Sequence, residues 1–255
     1  MEIIILPDAE SAAEEVTHIF SKTITSKPNA VLGLATGSTP IPFYKKLVER
    51  NHDWSGITSF NLDEYIGVAA EHPQSYHFFM NTHLFQHVNI HPEKIHIPDG
   101  MAVDPERHCC EYEDKIRAVG GIDLQLLGIG SDGHIGFNEP TSSLASHTRI
   151  KTLTARTRQD NARFFASENE VPFHVITMGI GTILDTRKVV LLATGKQKAL
   201  AVAQAVEGPI TAMNPASALQ LHPSAIFCLD EMAASELTRA DYYRWVWKNK
   251  PSWQR

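Results

Sequence analysis

The chain has 255 residues, 43% hydrophobic and 20% charged, an ordinary globular composition with enough length to bury a core without covalent staples. A net charge of −6 argues against a general nucleic-acid or anionic-membrane binder. The three cysteines (adjacent Cys109 and Cys110, distant Cys228) form no disulfide framework, no apolar run reaches the roughly 18–20 residues of a membrane span, and "MEIIILPDAE" reads as a short strand rather than a signal peptide, so the expectation is a reduced cytoplasmic protein.

Along the chain, apolar β-rich runs alternate with helical patterns. The runs are "IIIL" (3–6), "AVLGLA" (30–35), "ITSFNL" (57–62), "IDLQLLGI" (122–129), "HVITMGI" (174–180), "KVVLLA" (188–193) and "AIFCL" (225–229). Strands apolar on both faces are those of a buried parallel sheet, with helices as crossovers. Helical patterns cover 8–26, 40–50, 75–86, 104–118, 196–206 and 231–246. Pro40 and Pro42 suit a first turn, and Asp104 before Pro105 suits an N-cap followed by proline. The alternation predicts a doubly wound, mostly parallel α/β sheet with helices on both faces, Rossmann-like, as one domain over 1–255. No repeat, low-complexity tract or linker interrupts it.

In such a sheet ligands bind beyond the carboxyl ends of the strands, and four unusual segments fall there. "ATGSTP" follows the second run: the amides of Gly37, Ser38 and Thr39 before a helix start can cradle a phosphate, or the segment is simply a tight turn. It lacks the spacing of a P-loop or a dinucleotide fingerprint. "DEY" follows the third run, where Asp63 is either a partly desolvated proton carrier or a turn cap. "GIGSDGHIGFNEP" (128–140) follows the fourth: glycines allow close approach to a ligand, and Asp132 and Glu139 flank His134, a candidate acid/base. A metal site is the other reading of that loop, but no further His or Cys follows at ligand spacing. "TGKQKAL" follows the sixth run and puts Lys196 and Lys198 at a helix start, where cations oppose the dipole unless an anion sits there. Arg149, Lys151, Arg156, Arg158 and Arg163 make a local basic stretch on an acidic chain, suited to a small anion or to plain solvation. His83 and His87 are a turn apart, but Leu84 stands where a zincin needs glutamate.

"LGLATGSTP", "FNLDEY", "HPQSYHFFM", "GIGSDGHIGFNEP", "TRQDNARFF", "KQKAL" and "LQLHPSAIFCLDE" occur in this order across nearly the whole chain. Together they resemble the glucosamine-6-phosphate deaminase (isomerase/deaminase) family. The related 6-phosphogluconolactonases share the fold and an Asp-Gly-His loop, but continue with a Thr-Ala-Ser-Leu-Phe-Pro type of segment where this chain has "IGFNEP". The resemblance implies conversion of glucosamine 6-phosphate and water to fructose 6-phosphate and ammonia, with no metal or organic cofactor. It implies that His134, oriented by Asp132 and Glu139, opens the pyranose, that Asp63 moves the proton from carbon 2 to carbon 1, and that Thr36, Gly37, Ser38, Thr39, Arg163 and Lys198 hold the phosphate. Residues 154–170 read as a mobile lid. Allosteric members are hexamers that bind N-acetylglucosamine 6-phosphate; Ser142, Arg149, Lys151 and Thr152 match their effector segment, whereas a gapless reading puts Arg244, with Tyr243 beside it, where those members have a tyrosine. The partners expected are therefore a small sugar phosphate and further copies of the chain, with neither nucleic acid nor membrane. A lactonase, a galactosamine-6-phosphate deaminase and a non-catalytic sugar-phosphate sensor remain as rival readings.

Overall fold

The computed structural model describes residues 1–162, 165 and 170–251. Seven strands form one parallel sheet in the order β1-β10-β9-β6-β2-β3-β5. They are β1 (Glu2–Leu6), β2 (Val31–Leu34), β3 (Thr58–Asn61), β5 (Ile95–His96), β6 (Leu124–Leu127), β9 (Val189–Ala193) and β10 (Ala225–Asp230). The strands β2, β6 and β9 are buried at every position, as their unbroken apolar runs require. The architecture is the expected doubly wound, Rossmann-like α/β sheet.

From β2 the chain builds outward through β3 to β5, then returns to the other side of β2 with β6 and continues through β9 to β10. That reversal makes the carboxyl ends of β2 and β6 the topological switch point, where an open α/β sheet leaves a crevice.

The helices begin where their caps dictate. Asp8 accepts from the Ser11 amide at the start of α1 (Ala9–Ser26), and Pro40 and Pro42 occupy the entry to α2 (Ile41–Glu49). Ser75 accepts from the Phe78 amide at α3 (Tyr76–His83), and Asp104 from that of Arg107 at α4 (Pro105–Ala118), with Pro105 first in the helix.

Three outcomes differ from the sequence reading. The run 174–180 is not a strand of the parallel sheet: β8 (His174–Thr177) lies in a separate three-stranded antiparallel sheet between β4 (Asp63–Tyr65) and β7 (Arg149–Thr152), and α6 (Ile180–Leu184) follows it. The pattern at 231–246 is a run of turns before α8 (Ala240–Lys248). Lys196–Lys198 form a 3₁₀ turn ahead of α7 (Ala199–Glu207), not the first residues of a regular helix.

Opposite the crevice, the amino ends of the strands are tied by one carboxylate. Asp123 accepts from the Val31 amide and from Lys27 Nζ at 2.8 Å each, and from Arg187 Nη1 at 3.0 Å. It thereby joins the entries to β2, β6 and β9. Replacing Asp123 with Ala leaves the buried end of β2 without the acceptor of its Val31 amide and takes the anion away from Lys27 and Arg187, so we expect a loss of ~1–3 kcal/mol. Thermal denaturation should show a lower Tm, while kcat stays at the parental value because the crevice lies at the other end of the strands.

Candidate active site

The switch point holds a cavity of about 600 Å³ whose walls include Thr36, Gly37, Ser38, Thr39, Asp63, His134 and Lys198. Four loops that are far apart in sequence thus meet there, as their strand-end positions predict. The β2 loop turns at Gly37, whose φ of +105° favours glycine, and delivers residues 36–39 to the cavity wall before α2. Pro40 at the N-cap has no side-chain acceptor for the first turn of α2, which leaves the partial positive charge of that helix end for a ligand.

The β6 loop folds back on itself: the Gly130 amide donates to the His134 carbonyl at 2.8 Å, and Gly133 turns with φ +88°. Any side chain at 130 would collide with the imidazole, since a Cβ there falls 2.2 Å from the His134 ring. His134 Nδ1 lies 2.7 Å from Asp132 Oδ1, which also accepts from the His134 amide at 3.2 Å. Burial works against ionisation of Asp132, but the hydrogen bond and charge of His134 and the backbone amides prevail and hold its carboxyl at about 2. The Asp132 carboxylate therefore fixes the imidazole proton on Nδ1 and leaves Nε2 as a basic nitrogen.

Asp63 is the first residue of β4, one residue after the chain leaves the parallel sheet at Leu62. It is 6% exposed, and its carboxyl makes no hydrogen bond among the described residues. Burial, reinforced by the Glu64 charge, pushes it up to about 8. The neighbouring Glu64 is fully buried and turned to different work: its carboxylate accepts the amides of Tyr65, Tyr76 and His77, fastening the start of α3 to β4. Burial pushes Glu64 up to about 7 against those three donors. Asp63 is no turn cap, since nothing in the turn is bonded to its carboxyl.

The remaining expected residues separate. Lys198 ends the 3₁₀ turn after β9 and lines the cavity beside Gln197. Arg163 lies outside the described residues, as does part of the 154–170 segment; Thr157 and Phe165 from that segment line the cavity. Glu139 does not join the His134–Asp132 pair by a hydrogen bond. Its buried carboxylate instead accepts from the Thr154 amide at 3.1 Å and from the Thr154 hydroxyl, holding the residue whose own side chain caps α5 (Ala155–Asn161). An acid close in sequence to a histidine is thus drawn away by an amide-rich helix terminus.

Away from the cavity, Arg149 in β7 donates Nη1 to Asn138 Oδ1 at 2.8 Å, and its Nη2 is buried without a partner among the described residues. The Ser142 hydroxyl is likewise buried and unpartnered there. Lys151 is partly exposed and Thr152 exposed. Tyr243 donates its hydroxyl to Glu207, and Arg244 pairs with Glu231 and Asp241.

Residues not singled out from sequence complete the walls: Tyr65, Tyr76, Phe137 and Phe165 form an aromatic cluster around the Asp63 side of the cavity. Glu64 and Tyr65 stand next to Asp63 in "NLDEY", and Tyr76 lies in "HPQSYHFFM", so the motifs contained them, but only the fold shows what they touch.

Residues 8–227 match the family of glucosamine-6-phosphate isomerases and 6-phosphogluconolactonases. The chain belongs to this family. Among its relatives, the glucosamine-6-phosphate deaminase of Shewanella woodyi is 54% identical across 96% of this chain and 95% of its own, and that of Hahella chejuensis is 56% identical over the same shares. A solved structure described as a monomeric glucosamine-6-phosphate deaminase superposes with a TM-score of 0.91 at 45% identity, covering 92% of this chain and all of its own. The family fold extends further: the 6-phosphogluconolactonase of Thermotoga maritima gives a TM-score of 0.72 at 22% identity.

The pKa of Asp63 carries a consequence for stability. Its folded value, about 8, lies above the ordinary 3.8, so the folded chain binds this proton more tightly than the unfolded chain. The stability gained is complete below about pH 4 and is lost as pH rises through 8. Asn keeps the shape of the neutral acid and cannot ionise. Denaturation of Asp63→Asn followed against pH should therefore show a variant matching the parent at pH 4 and more stable than it at pH 9.

Proposed function

We propose that the cavity binds glucosamine 6-phosphate and converts it to fructose 6-phosphate and ammonia. The observation that carries this reading is the meeting in one cavity of two candidate acid/base groups from strand ends on either side of β2: His134, paired with Asp132, and Asp63, whose carboxyl has no hydrogen-bond partner among the described residues. Ring opening and the aldose-to-ketose conversion need two separate proton transfers, and two separately placed groups suit them.

The phosphate enters between the loop Thr36–Thr39 and Lys198, where amides, hydroxyls and an ammonium meet a dianion. That anchor sets the sugar against both acid/base groups. His134 Nε2 takes the proton of the anomeric hydroxyl and returns it to the ring oxygen, opening the pyranose. Asp132 holds the imidazole in place through Nδ1. Glu139 holds Thr154 at the start of α5, the helix whose Thr157 lines the cavity. Asp63 in its ionised form then removes the proton from carbon 2 while the ammonium on that carbon gives one proton to the carbonyl oxygen on carbon 1, and the enolamine so formed takes the proton of Asp63 back at carbon 1. The imine left at carbon 2 takes up water and releases ammonia. The described part of the 154–170 segment closes one wall through Thr157 and Phe165.

The reading is tested by incubating the purified protein with glucosamine 6-phosphate and measuring both products. Ammonia and fructose 6-phosphate should appear in equal amounts, and 6-phosphogluconolactone should be hydrolysed no faster than in buffer; the reverse pattern would identify a lactonase. Substituting His134 with Gln should suppress turnover of closed pyranose by ~10²–10⁴-fold. Substrate supplied transiently in open-chain form should still react, because Asp63 is intact. Parental turnover of the closed sugar by this variant would make His134 structural.

The reading extends to regulation. The Ser142 hydroxyl and Arg149 Nη2, buried and without a partner among the described residues, with Lys151 and Thr152 on the same loop and strand, provide an anion pocket for N-acetylglucosamine 6-phosphate, in an assembly of several copies of the chain. Saturation curves recorded with and without that effector should separate if the pocket regulates. Coincident hyperbolic curves, together with a monomer by light scattering, would exclude it.

A further inference from the structure

Within "LQLHPSAIFCLDE", a segment that the reaction above leaves unused, Asp230 closes strand β10 directly beside the loop that carries Lys198. In the sheet register Leu229 pairs with Ala193, so Asp230 stands level with the exit from β9. The residue is 7% exposed. Both of its carboxylate oxygens lie 3.0 Å from the Gly195 amide nitrogen, and Oδ1 also accepts from the Ala233 amide at 2.7 Å.

Gly195 is where the loop is decided. Its φ of 87° with ψ of 151° is a conformation open in practice only to glycine. Its amide is held by Asp230, and its carbonyl accepts from the Lys198 amide at 3.1 Å, closing the 3₁₀ turn. One residue in an otherwise unfavourable backbone state is therefore clamped at both ends, by a buried carboxylate on one side and by the backbone of Lys198 on the other. A carboxylate is an odd choice beside an anion site, because its charge opposes the ligand. It is the strongest acceptor for a backbone amide, however, and its oxygens are turned away onto Gly195 and Ala233.

We infer that Asp230 is a positioning residue for phosphate recognition: through Gly195 it fixes the turn that aims Lys198 and Gln197 into the cavity. Asp230 itself does not touch the ligand. The inference rests on the assignment of Lys198 to the phosphate.

The experiment measures calorimetric affinity for inorganic phosphate, together with KM and kcat for glucosamine 6-phosphate. Asp230→Ala should weaken phosphate binding and raise KM by ~10-fold or more, the size of one misplaced charge-assisted contact, with kcat little changed. Asp230→Asn keeps an oxygen for the Gly195 amide and should recover most of the loss. Gly195→Ala leaves the carboxylate in place but removes the backbone state, and should reproduce the Ala phenotype even if Asp230→Ala fails to fold. Unchanged phosphate affinity in folded Asp230→Ala or in Gly195→Ala overturns the inference, as does a fall in kcat with phosphate affinity and KM at parental values. Phosphate binding is read without turnover, so a parental protein that binds phosphate but releases no ammonia refutes the proposed reaction and not the role of Asp230.

Discussion

Removing a carboxyl group from water without giving it a hydrogen-bond partner is unfavourable for its charged form, and the protein does this to Asp63 at the entrance to β4. The position is set by Leu62. Its amide donates to the Leu34 carbonyl of β2 at 3.2 Å, and its carbonyl accepts the Met178 amide at 2.7 Å, so one residue joins the parallel sheet to the small antiparallel one. Asp63 follows at the seam. Across the seam it faces Thr177 of β8, which in turn pairs with Arg149 of β7. The Thr177 hydroxyl accepts the Phe137 amide instead of bonding to the acid. The surroundings of Asp63 are thus held rigid by bonds in which its carboxyl takes no part.

The contrast with Asp132 shows how one residue type can serve two tasks. Asp132 is also partly buried, but it has an imidazole and a backbone amide in reach and stays ionised; Asp63 has neither and is held near 8. Two acids whose environments drive their pKa values apart are a signature of divided acid/base work. In the proposed reaction the amino group on carbon 2 brings positive charge to the side of the cavity where Asp63 is isolated, so bound substrate favours the ionised base that the next step needs. The same opposition appears at Glu64, buried next to Asp63: the Glu64 carboxylate accepts the Tyr65 amide and two amides at the start of α3. Its charge reaches Asp63 while its oxygens are fully occupied.

The parallel sheet was legible because unbroken apolar runs such as 188–193 have few alternatives to a central strand, and because four glycine- or acid-bearing segments all fell at strand exits. The small sheet was not. Its β8 reads as one more apolar run, its β4 is three residues long, and its β7 (Arg149–Thr152) carries two cations in four residues; each acquires strand character only from pairing with the others. The placement of Asp63 and His134 was readable from motif and strand end together. The diversion of Glu139 to Thr154 was not, since a helix start fifteen residues later competes for the carboxylate and no local spacing reveals it. Asp230 escaped for the same reason: its partner, Gly195, is reached only through the register of β9 against β10.

In the proposed reaction a single isolated carboxyl carries hydrogen between two adjacent carbons of the sugar. The most direct measurement of that transfer is the isotope content at carbon 1 of fructose 6-phosphate formed in heavy water from ordinary glucosamine 6-phosphate. The account predicts a mixture: some product with one deuterium, acquired when the Asp63 proton exchanges with solvent, and some with the original carbon-2 hydrogen transferred intact, with both vanishing in Asp63→Asn. Product formed by Asp63→Asn at the parental rate with the same isotope pattern would contradict it.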